Sequence, residues 1–243
     1  MSVDASLPAS GLVSRCPRWY ELNMHALSFT EMRRACDSFL QAVIGFAYFR
    51  LLGGTAPGAA ILVPESITVV ETVAVEGLEL PGELADMGFT LAQAFHLPEF
   101  TGDNLTCCFI DRHGTSTCDV VFARVNDQFQ SEAIFYSHFG GRPIRSIKTI
   151  GAWRADPLER PPEKPVRCVP GDLRTRYEAH RQWLSSEPGT PERLTWERIL
   201  AMSHDSHREL VQHYLARGVY RPASLPRVTA LLRRKGLGWS PSA

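Results

Sequence analysis

The chain has 243 residues, of which 44% are hydrophobic and 21% charged, so a wholly disordered chain is excluded. The 26 basic residues balance 26 acidic ones, and this neutral total argues against a general nucleic-acid binder. The sequence has no uninterrupted apolar stretch of about 18 residues, so no transmembrane helix is predicted.

The N-terminal part and the cysteine content predict a cytoplasmic protein with reduced thiols. The first 30 residues include Asp4, Arg15, Arg18 and Glu21, and they lack the apolar core of about 7–15 residues that a secretory signal needs. Six cysteines are too few for a dense disulfide framework in a chain of this length.

A long helix is predicted to follow a loose N-terminal segment, residues 1–27. The 3.6-residue spacing of apolar side chains extends from Thr30 to Leu52. Ser28 and Glu31 have the spacing of a capping box, which fixes where the helix begins.

The middle of this helix is the most hydrophobic part of the chain. The run from Phe39 to Phe49 is nearly all apolar but only eleven residues long, and Arg50 follows it. A run of this length is typical of a buried core helix, which is our prediction. The alternative is a helix inserted in a membrane or buried against a partner, with residues 39–63 in contact with the lipid.

Residues 28–150 are predicted to form a domain of one helix and an antiparallel meander. Extended segments at 61–63 and 67–75 and a short helix from Leu80 to Met87 come before the meander. Period-two alternation then predicts five strands, at about 89–97, 104–111, 115–123, 129–138 and 142–150.

Short turns join these strands, which makes each neighbouring pair antiparallel. A turn at residues 111–114 is predicted to place Cys108 directly opposite Cys118. The sequence Phe139-Gly140-Gly141-Arg142 is typical of a two-residue hairpin turn.

The C-terminal third begins with a Pro-rich connector, residues 151–170, in which five prolines argue against a strand. Residues 171–243 are predicted to be helical, with a basic tail. One helix is capped by Asp172, a second extends from Thr190 to about Arg217, and a third covers 225–235. The predicted fold class is therefore α+β: a long buried N-terminal helix, a five-stranded antiparallel meander, a Pro-rich connector and C-terminal helices.

The two hairpin turns lie at the same end of the predicted sheet and form a polar rim. The rim contains Asp111, Arg112, His113, His138 and Arg142. Two imidazoles and a carboxylate could perform acid–base chemistry, with His138 or His113 as the base, and the two arginines could bind an anion. The alternative is that these residues are ordinary solvated turn residues.

The sequence predicts neither a metal site nor a cofactor. His204 and His207 share one helix face, but His213 is rotated away from them and no His-Glu-x-x-His pattern is present. There is no nucleophile elbow, no phosphate-binding loop and no dinucleotide fingerprint.

The charge is unevenly distributed along the chain. Residues 1–100 carry a net charge of −6, and residues 210–243 carry +6. In this tail, Arg233, Arg234, Lys235 and Trp239 are candidate binding residues for a protein or for an anionic surface, either a membrane or nucleic acid.

Two classes of function remain open. The favoured one is a non-catalytic interaction or regulatory protein that binds another macromolecule, most simply a protein, through its apolar helix and basic tail, with homo-oligomerisation also open. The other is a small enzyme of the hydrolase or acid–base type that uses the polar rim.

Overall fold

The computed structural model describes residues 19–36, 38–51, 62–64, 71–72, 81–96, 104–125, 128–151 and 158–223. These residues form an α+β fold with two sheets, in agreement with the predicted class. The strands are β1 (Trp19–Leu22), β2 (Leu62–Pro64), β3 (Glu71–Thr72), β4 (Phe89–His96), β5 (Asn104–Asp111), β6 (Thr117–Val125), β7 (Gln128–Phe139), β8 (Arg145–Ile150), β9 (Val166–Cys168) and β10 (Tyr220–Pro222). The helices are α1 (Phe29–Ala35), α2 (Phe39–Leu51), α3 (Gly82–Asp86), α4 (Leu173–Ser186) and α5 (Trp196–Ala216).

The larger sheet has seven strands in the order β3-β4-β5-β6-β7-β8-β9. Its centre, β4 to β8, is the predicted antiparallel meander. The prediction of a five-stranded, wholly antiparallel sheet is wrong in extent, because β3 adds one edge and β9 pairs in parallel with β8 at the other. Proline lacks a backbone N–H donor but keeps its carbonyl acceptor. The Pro165 carbonyl accepts a hydrogen bond from the backbone N–H of Lys148 in β8, and a strand therefore forms inside the predicted connector.

The predicted pairing of Cys108 with Cys118 is wrong by one residue. Asp111 closes the turn with Ser116, and Asp119 lies opposite Cys108. The Asp111 carboxylate stabilises this longer turn by accepting from two backbone N–H groups within it. Because side chains alternate along a strand, the one-residue shift places Cys108 and Cys118 on opposite faces of the sheet.

The predicted two-residue turn between β7 and β8 is also wrong. Phe139 pairs with Arg145, so five residues lie between the strands, and the Arg142–Pro143 peptide is cis. Pro143 has no N–H to donate to the ladder, which prevents pairing from starting at residue 142.

The predicted N-terminal helix is two helices. The Ser28 and Glu31 capping box begins α1 as predicted. A second reciprocal pair then begins α2, because Ser38 Oγ accepts from the Gln41 N–H and Gln41 Oε1 accepts from the Ser38 N–H. Cys36, between the helices, has extended backbone angles.

The prediction that this helical region is buried is wrong for one face of α2. The face consists of exposed large side chains, with exposed fractions of 62% for Phe39, 67% for Leu40 and 59% for Ile44. The opposite side is buried through Ala42 and Phe49 in a core that also contains Leu27, Met32, Leu158, Tyr214 and Val219. We refer to Phe29, Phe39, Leu40, Val43, Ile44 and Tyr48 as the α2 apolar face.

The meander lies between two helices. On one face, α4 buries Tyr177, His180 and Trp183, and these pack near the apolar side chains of β5 to β8. Helix α5 covers the other face through Ile199 and Met202.

Helix α5 begins later than predicted, at Trp196 instead of Thr190. Thr195 caps it, and the preceding backbone is bonded elsewhere, with the Glu192 N–H donating to the His138 carbonyl. The predicted end near Arg217 is confirmed.

The smaller sheet, in the order β10-β1-β2, joins the two ends of the described chain. Residues 19–22 were predicted to be loose but form its central strand, whereas residues 1–18 and the predicted helix 225–235 lie outside the described residues. Among the described residues, each helix is too short or too polar to cross a membrane.

Candidate functional site

A cavity of about 340 Å³ lies between the large sheet and α5. Its floor is formed by alternate residues of four neighbouring strands, all on one face of the sheet. These floor residues are Thr106, Cys108, Thr117, Asp119, Val121, Tyr136, His138, Ser146 and Lys148. The volume is within the range of about 300–1,000 Å³ that is usual for small-molecule pockets.

Helix α5 forms the roof, and Phe95, Arg160 and Lys164 complete the walls. The α5 residues follow helical spacing along one face, so a single side of the helix looks into the cavity. They are Trp196, Ile199, Leu200, Ser203, His204, Ser206, His207 and Leu210. Polar side chains therefore occupy the middle of the roof, and apolar ones occupy both ends.

Three buried polar atoms on the floor have no hydrogen-bond partner in the described part of the chain. They are Thr106 Oγ1, Asp119 Oδ1 and His138 Nδ1, one from each of three neighbouring strands. A buried polar atom without a partner costs about 1–3 kcal/mol, so native proteins seldom leave several together. These three atoms lie around a single cavity.

Asp119 is the one carboxylate among the described residues that line the cavity, and its pKa is strongly perturbed. Burial raises its pKa from the ordinary value of 3.8 to about 6, against the opposing effects of a hydrogen bond with Cys108 and the charge of Lys148. The side chain remains partly accessible because it faces the cavity, although Oδ1 is buried. A carboxyl group with this pKa can take up or release a proton near neutral pH.

The neighbouring Cys108 and Tyr136 stay protonated. Burial, followed by the charge of Asp119, raises the pKa of each of them well above its ordinary value. The raised pKa disfavours the Cys108 thiolate, which is the reactive form of cysteine. Both groups instead offer polarity and hydrogen-bonding capacity to the cavity floor.

The His138 end of the cavity has a positive electrostatic environment. Burial and, to a smaller extent, the charge of Lys164 lower the pKa of His138 from the ordinary value of 6.5 to about 4. Lys164 is itself fixed by hydrogen bonds to the Ile144 carbonyl, Ser206 Oγ and Glu209 Oε2, at 2.8–2.9 Å. His138 is consequently a neutral imidazole at physiological pH.

Only one of the predicted rim residues lines this cavity. His138 does, whereas Asp111 is fully used in closing its turn and Arg112 donates to His113 Nε2 at the exposed tip of the same turn. Arg142 lies exposed in the β7–β8 turn. The two turns share one end of the sheet, but the side chains around them do not converge on a common pocket.

The remaining candidates have different outcomes. Arg233, Arg234, Lys235 and Trp239 lie outside the described residues. His204 and His207 both line the cavity, whereas His213 packs against Tyr214 instead. A cluster of three or more metal-ligating side chains is not found within the described ranges.

The sequence did not predict Asp119, Lys148 or Tyr136 as site residues, although it contains a signal for them. In β6 and β8, polar residues alternate with Cys118, Val120 and Ile147, which is typical of a sheet with one wet face. Helix α5 covers this polar face and so turns it into the floor of a cavity.

Comparison with known proteins found no matching family model, curated protein or solved structure. The function therefore has to be argued from the site itself.

Proposed function

We propose that the protein binds a small organic molecule in the cavity between the large sheet and α5. The observation that supports this function best is the set of three unpartnered buried atoms, Thr106 Oγ1, Asp119 Oδ1 and His138 Nδ1, around a cavity of ligand size. A cavity of this size that combines apolar walls with convergent polar groups and perturbed pKa values is typical of ligand sites.

The charged floor also argues against a purely structural cavity. A core that only had to be stable would fill this space with apolar side chains, because buried charges cost free energy unless they are fully compensated. Asp119 is retained instead, at a position where Cys108 gives it only part of the hydrogen bonding that its two oxygens can accept.

The experiment compares the small molecules that co-purify with the wild-type protein and with a cavity-filled variant. Protein from the native host is desalted and denatured, and the released molecules are identified by mass spectrometry. Ser203→Trp places an indole in the roof, and Leu200→Trp is a second filling variant. Ser185→Trp, on the exposed surface of α4, is the matched control.

We expect a molecule that is released by the wild type and by the Ser185→Trp protein but is absent from both filled variants. Thermal melting checks that all four proteins are folded. Equal recovery of the same molecules from the filled variants and the wild type would contradict a ligand site in this cavity.

A second proposal rests on the α2 apolar face. Six large apolar side chains on one exposed surface exceed the scattered exposure that is normal for a protein surface. Arg33 and Arg34 in the last turn of α1 and Arg50 in the last turn of α2 are also exposed. A complementary partner is therefore a protein segment that is apolar and also carries acidic residues. This surface supports the interaction function that the sequence favours.

The test of this surface is crosslinking in the native host. A photoreactive amino acid replaces Leu40 on the face, and another replaces Gln182 on α4 as the control. We expect the face to capture one protein, whose purified form binds the wild type and loses binding to Ile44→Asp. Capture of a second copy of this chain would identify self-association instead, and equal capture from both positions would contradict the proposal.

A further inference from the structure

We propose that the partner of the α2 apolar face is an amphipathic helix of about three turns, with acidic residues towards both of its ends. This inference rests on the second proposed function, in which the face binds another protein. The composition of α2, the spacing of its exposed side chains and the position of two arginines support this class of partner.

Helix α2 is apolar on nearly all of its sides. Apart from the Tyr48 hydroxyl, only Gln41 and Arg50 bring polar side chains to its 13 residues. A helix of this composition is normally buried all round. The core covers the side that carries Ala42 and Phe49, whereas the α2 apolar face is exposed. A second apolar surface that covered this face would therefore remove a large apolar area from water.

The exposed side chains form two rows along α2. Leu40, Ile44 and Tyr48 are four residues apart and form one row, and Phe39 and Val43 form the other. Rows of this spacing are the ridges that pack into the grooves of a second helix. The rows span roughly 14 Å between Phe39 and Tyr48, so a partner helix of about three turns covers them.

A helix suits this face better than an extended segment does. The backbone of α2 is hydrogen-bonded within the helix, so the face offers side chains and not the edge of a sheet. An extended segment on this apolar surface would bury N–H and C=O groups without partners, which is unfavourable. A helix satisfies these groups internally and presents apolar side chains at intervals of three and four residues.

Arginines lie near both ends of the face. Arg50 follows Val43 by seven residues on the same side of α2, and its guanidinium lies 5.5 Å from the centre of the Phe46 ring. Arg33 lies near the other end, because its Nη1 donates at 3.4 Å to the carbonyl of Cys36, which lies just before α2. Both arginines are exposed.

These arginines are available to acidic residues of a partner. Arg33 donates to a backbone carbonyl, and so does Arg50, whose Nη2 lies 3.2 Å from the Leu27 oxygen. Among the described residues, neither forms an ion pair with a carboxylate. Carboxylates near both ends of a partner helix can therefore pair with the two guanidinium groups and fix the position of the helix on the face.

The same charges disfavour a second copy of this chain as the partner. A closed dimer through this face would be two-fold symmetric, with each α2 packed on the α2 of the other copy. If the helices were parallel, the two Arg50 side chains would approach each other. If they were antiparallel, Arg50 of each copy would approach Arg33 of the other. Like charges meet in both arrangements, which is unfavourable.

The experiment uses three stapled helical peptides of about 15 residues with a neutral fluorophore, because unconstrained helices of this length are marginal in water. The first has leucines at helical spacing and two glutamates at each end, and the second has lysines in place of these glutamates. The third has the composition of the first in an order that forms no apolar face. Fluorescence anisotropy measures binding to the full-length protein at low salt, where exposed ion pairs are least screened. We expect the first peptide to bind at least about tenfold more tightly than the others, equivalent to about 1.4 kcal/mol.

Variants of the protein locate the binding. Ile44→Asp should weaken binding of the glutamate peptide at least about tenfold. The double variant Arg33→Glu/Arg50→Glu should bind the lysine peptide more tightly than the glutamate peptide, a reversal that misfolding would not produce. Arg174→Glu/Arg181→Glu, on the exposed surface of α4, is the matched control and should keep the wild-type order. Equal binding of the three peptides, or an unchanged order in the Arg33→Glu/Arg50→Glu protein, would contradict the inference.

The inference and the function on which it rests fail in different ways. Capture at Leu40 of a protein whose crosslinked segment is extended or basic would retain the binding function and overturn the acidic helix. Failure to capture a protein, together with no binding of any peptide, would overturn both. Vesicles of phosphatidylcholine and phosphatidylserine test a lipid surface by co-sedimentation. Sedimentation of the wild type but not of Ile44→Asp would identify a membrane in place of the partner helix, and would also overturn both.

Discussion

Asp119 lies in the middle of β6, where a carboxylate is unfavourable for stability. Because its folded pKa of about 6 is above the ordinary value of 3.8, the ionised group destabilises the fold at neutral pH. We therefore predict that Asp119→Asn raises the free energy of unfolding at pH 7 by about 1–2 kcal/mol. This is less than full burial would give, because water can enter the cavity.

The prediction is checked by measuring how the stability gained by Asp119→Asn depends on pH. Chemical denaturation of wild type and variant should differ at pH 7 and converge as the pH falls from about 6 to below 3.8, where the carboxyl is protonated in both states. Asp86→Asn, on exposed α3, is the control and should change little. A loss of stability in the Asp119→Asn protein at pH 7 would show that the carboxylate is structural.

His180 has the opposite role on the other face of the sheet. It is fully buried, and its two ring nitrogens lie 3.1 Å from Ser137 Oγ and 2.9 Å from Thr149 Oγ1, which ties α4 to β7 and β8. Burial lowers its pKa to about 4. The unfolded chain therefore binds more protons between pH 6.5 and 4, and protonation in this range destabilises the fold.

We predict that acid unfolding reports on this histidine. The free energy of unfolding should fall as the pH decreases from about 6.5 to 4, and the slope should be smaller in His180→Asn, although that protein is less stable at pH 7. His138 contributes in the same direction and Asp119 in the opposite one, so a residual slope is expected. An unchanged slope in the variant would mean that His180 is not the titrating group.

At the scale of elements, α2 has one buried side and one exposed side, so the loss of stability on truncating a side chain depends on which side it occupies. Phe49 is buried among core residues, whereas Phe46 is half-buried and packs edge-to-face on Phe29. Phe49→Ala should lower the free energy of unfolding by about 3–5 kcal/mol, and Phe46→Ala by roughly half as much. Denaturant unfolding of the two proteins is the measurement, and a larger loss for Phe46 would contradict the arrangement of α2.

The strands of the meander were predictable because their alternation is local, but the details at their ends were not. The register of β5 and β6 depends on how Asp111 closes its turn, and a shift of one residue separated Cys108 from Cys118. The break before α2 was available in the Ser38 and Gln41 spacing. Helix α5 was predicted from the sequence. Its position over the polar face of the sheet depends on tertiary packing, which local sequence patterns do not determine.

At the scale of the whole molecule, α4 and α5 cover opposite faces of the large sheet, and these two faces differ in polarity. Under α4, apolar side chains form a closed core, with the hydroxyl–imidazole network of His180 satisfied within it. Under α5, charged and polar side chains surround a cavity. The alternation of side chains along the strands gives the sheet one apolar face under α4 and one polar face under α5.

The ends of the described chain are joined by charge as well as by strand pairing. Arg221 donates to Glu21 Oε1 at 2.6 Å within the β1–β10 pair, and Arg217 donates at 2.9 Å to Glu31, which is fully buried. Part of the basic tail therefore docks on the acidic front of its own chain. A buried carboxylate that loses its partner costs about 3–5 kcal/mol, so this junction contributes to stability.

Two deletions separate this docking from any role of the remaining tail. Removing residues 224–243 leaves β10 and both ion pairs in place, whereas removing 220–243 also deletes β10, Arg221 and the packing of Tyr220 on Tyr214, with ring centroids 5.0 Å apart. We expect the longer deletion to lower the melting temperature by several degrees more than the shorter one, since about 1 kcal/mol corresponds to roughly 2–4 °C in a chain of this size. Thermal melts of the two truncated proteins provide the comparison. Equal melting temperatures would show that β10 does not contribute to thermal stability. The whole basic tail would then be interpreted as a partner-binding segment.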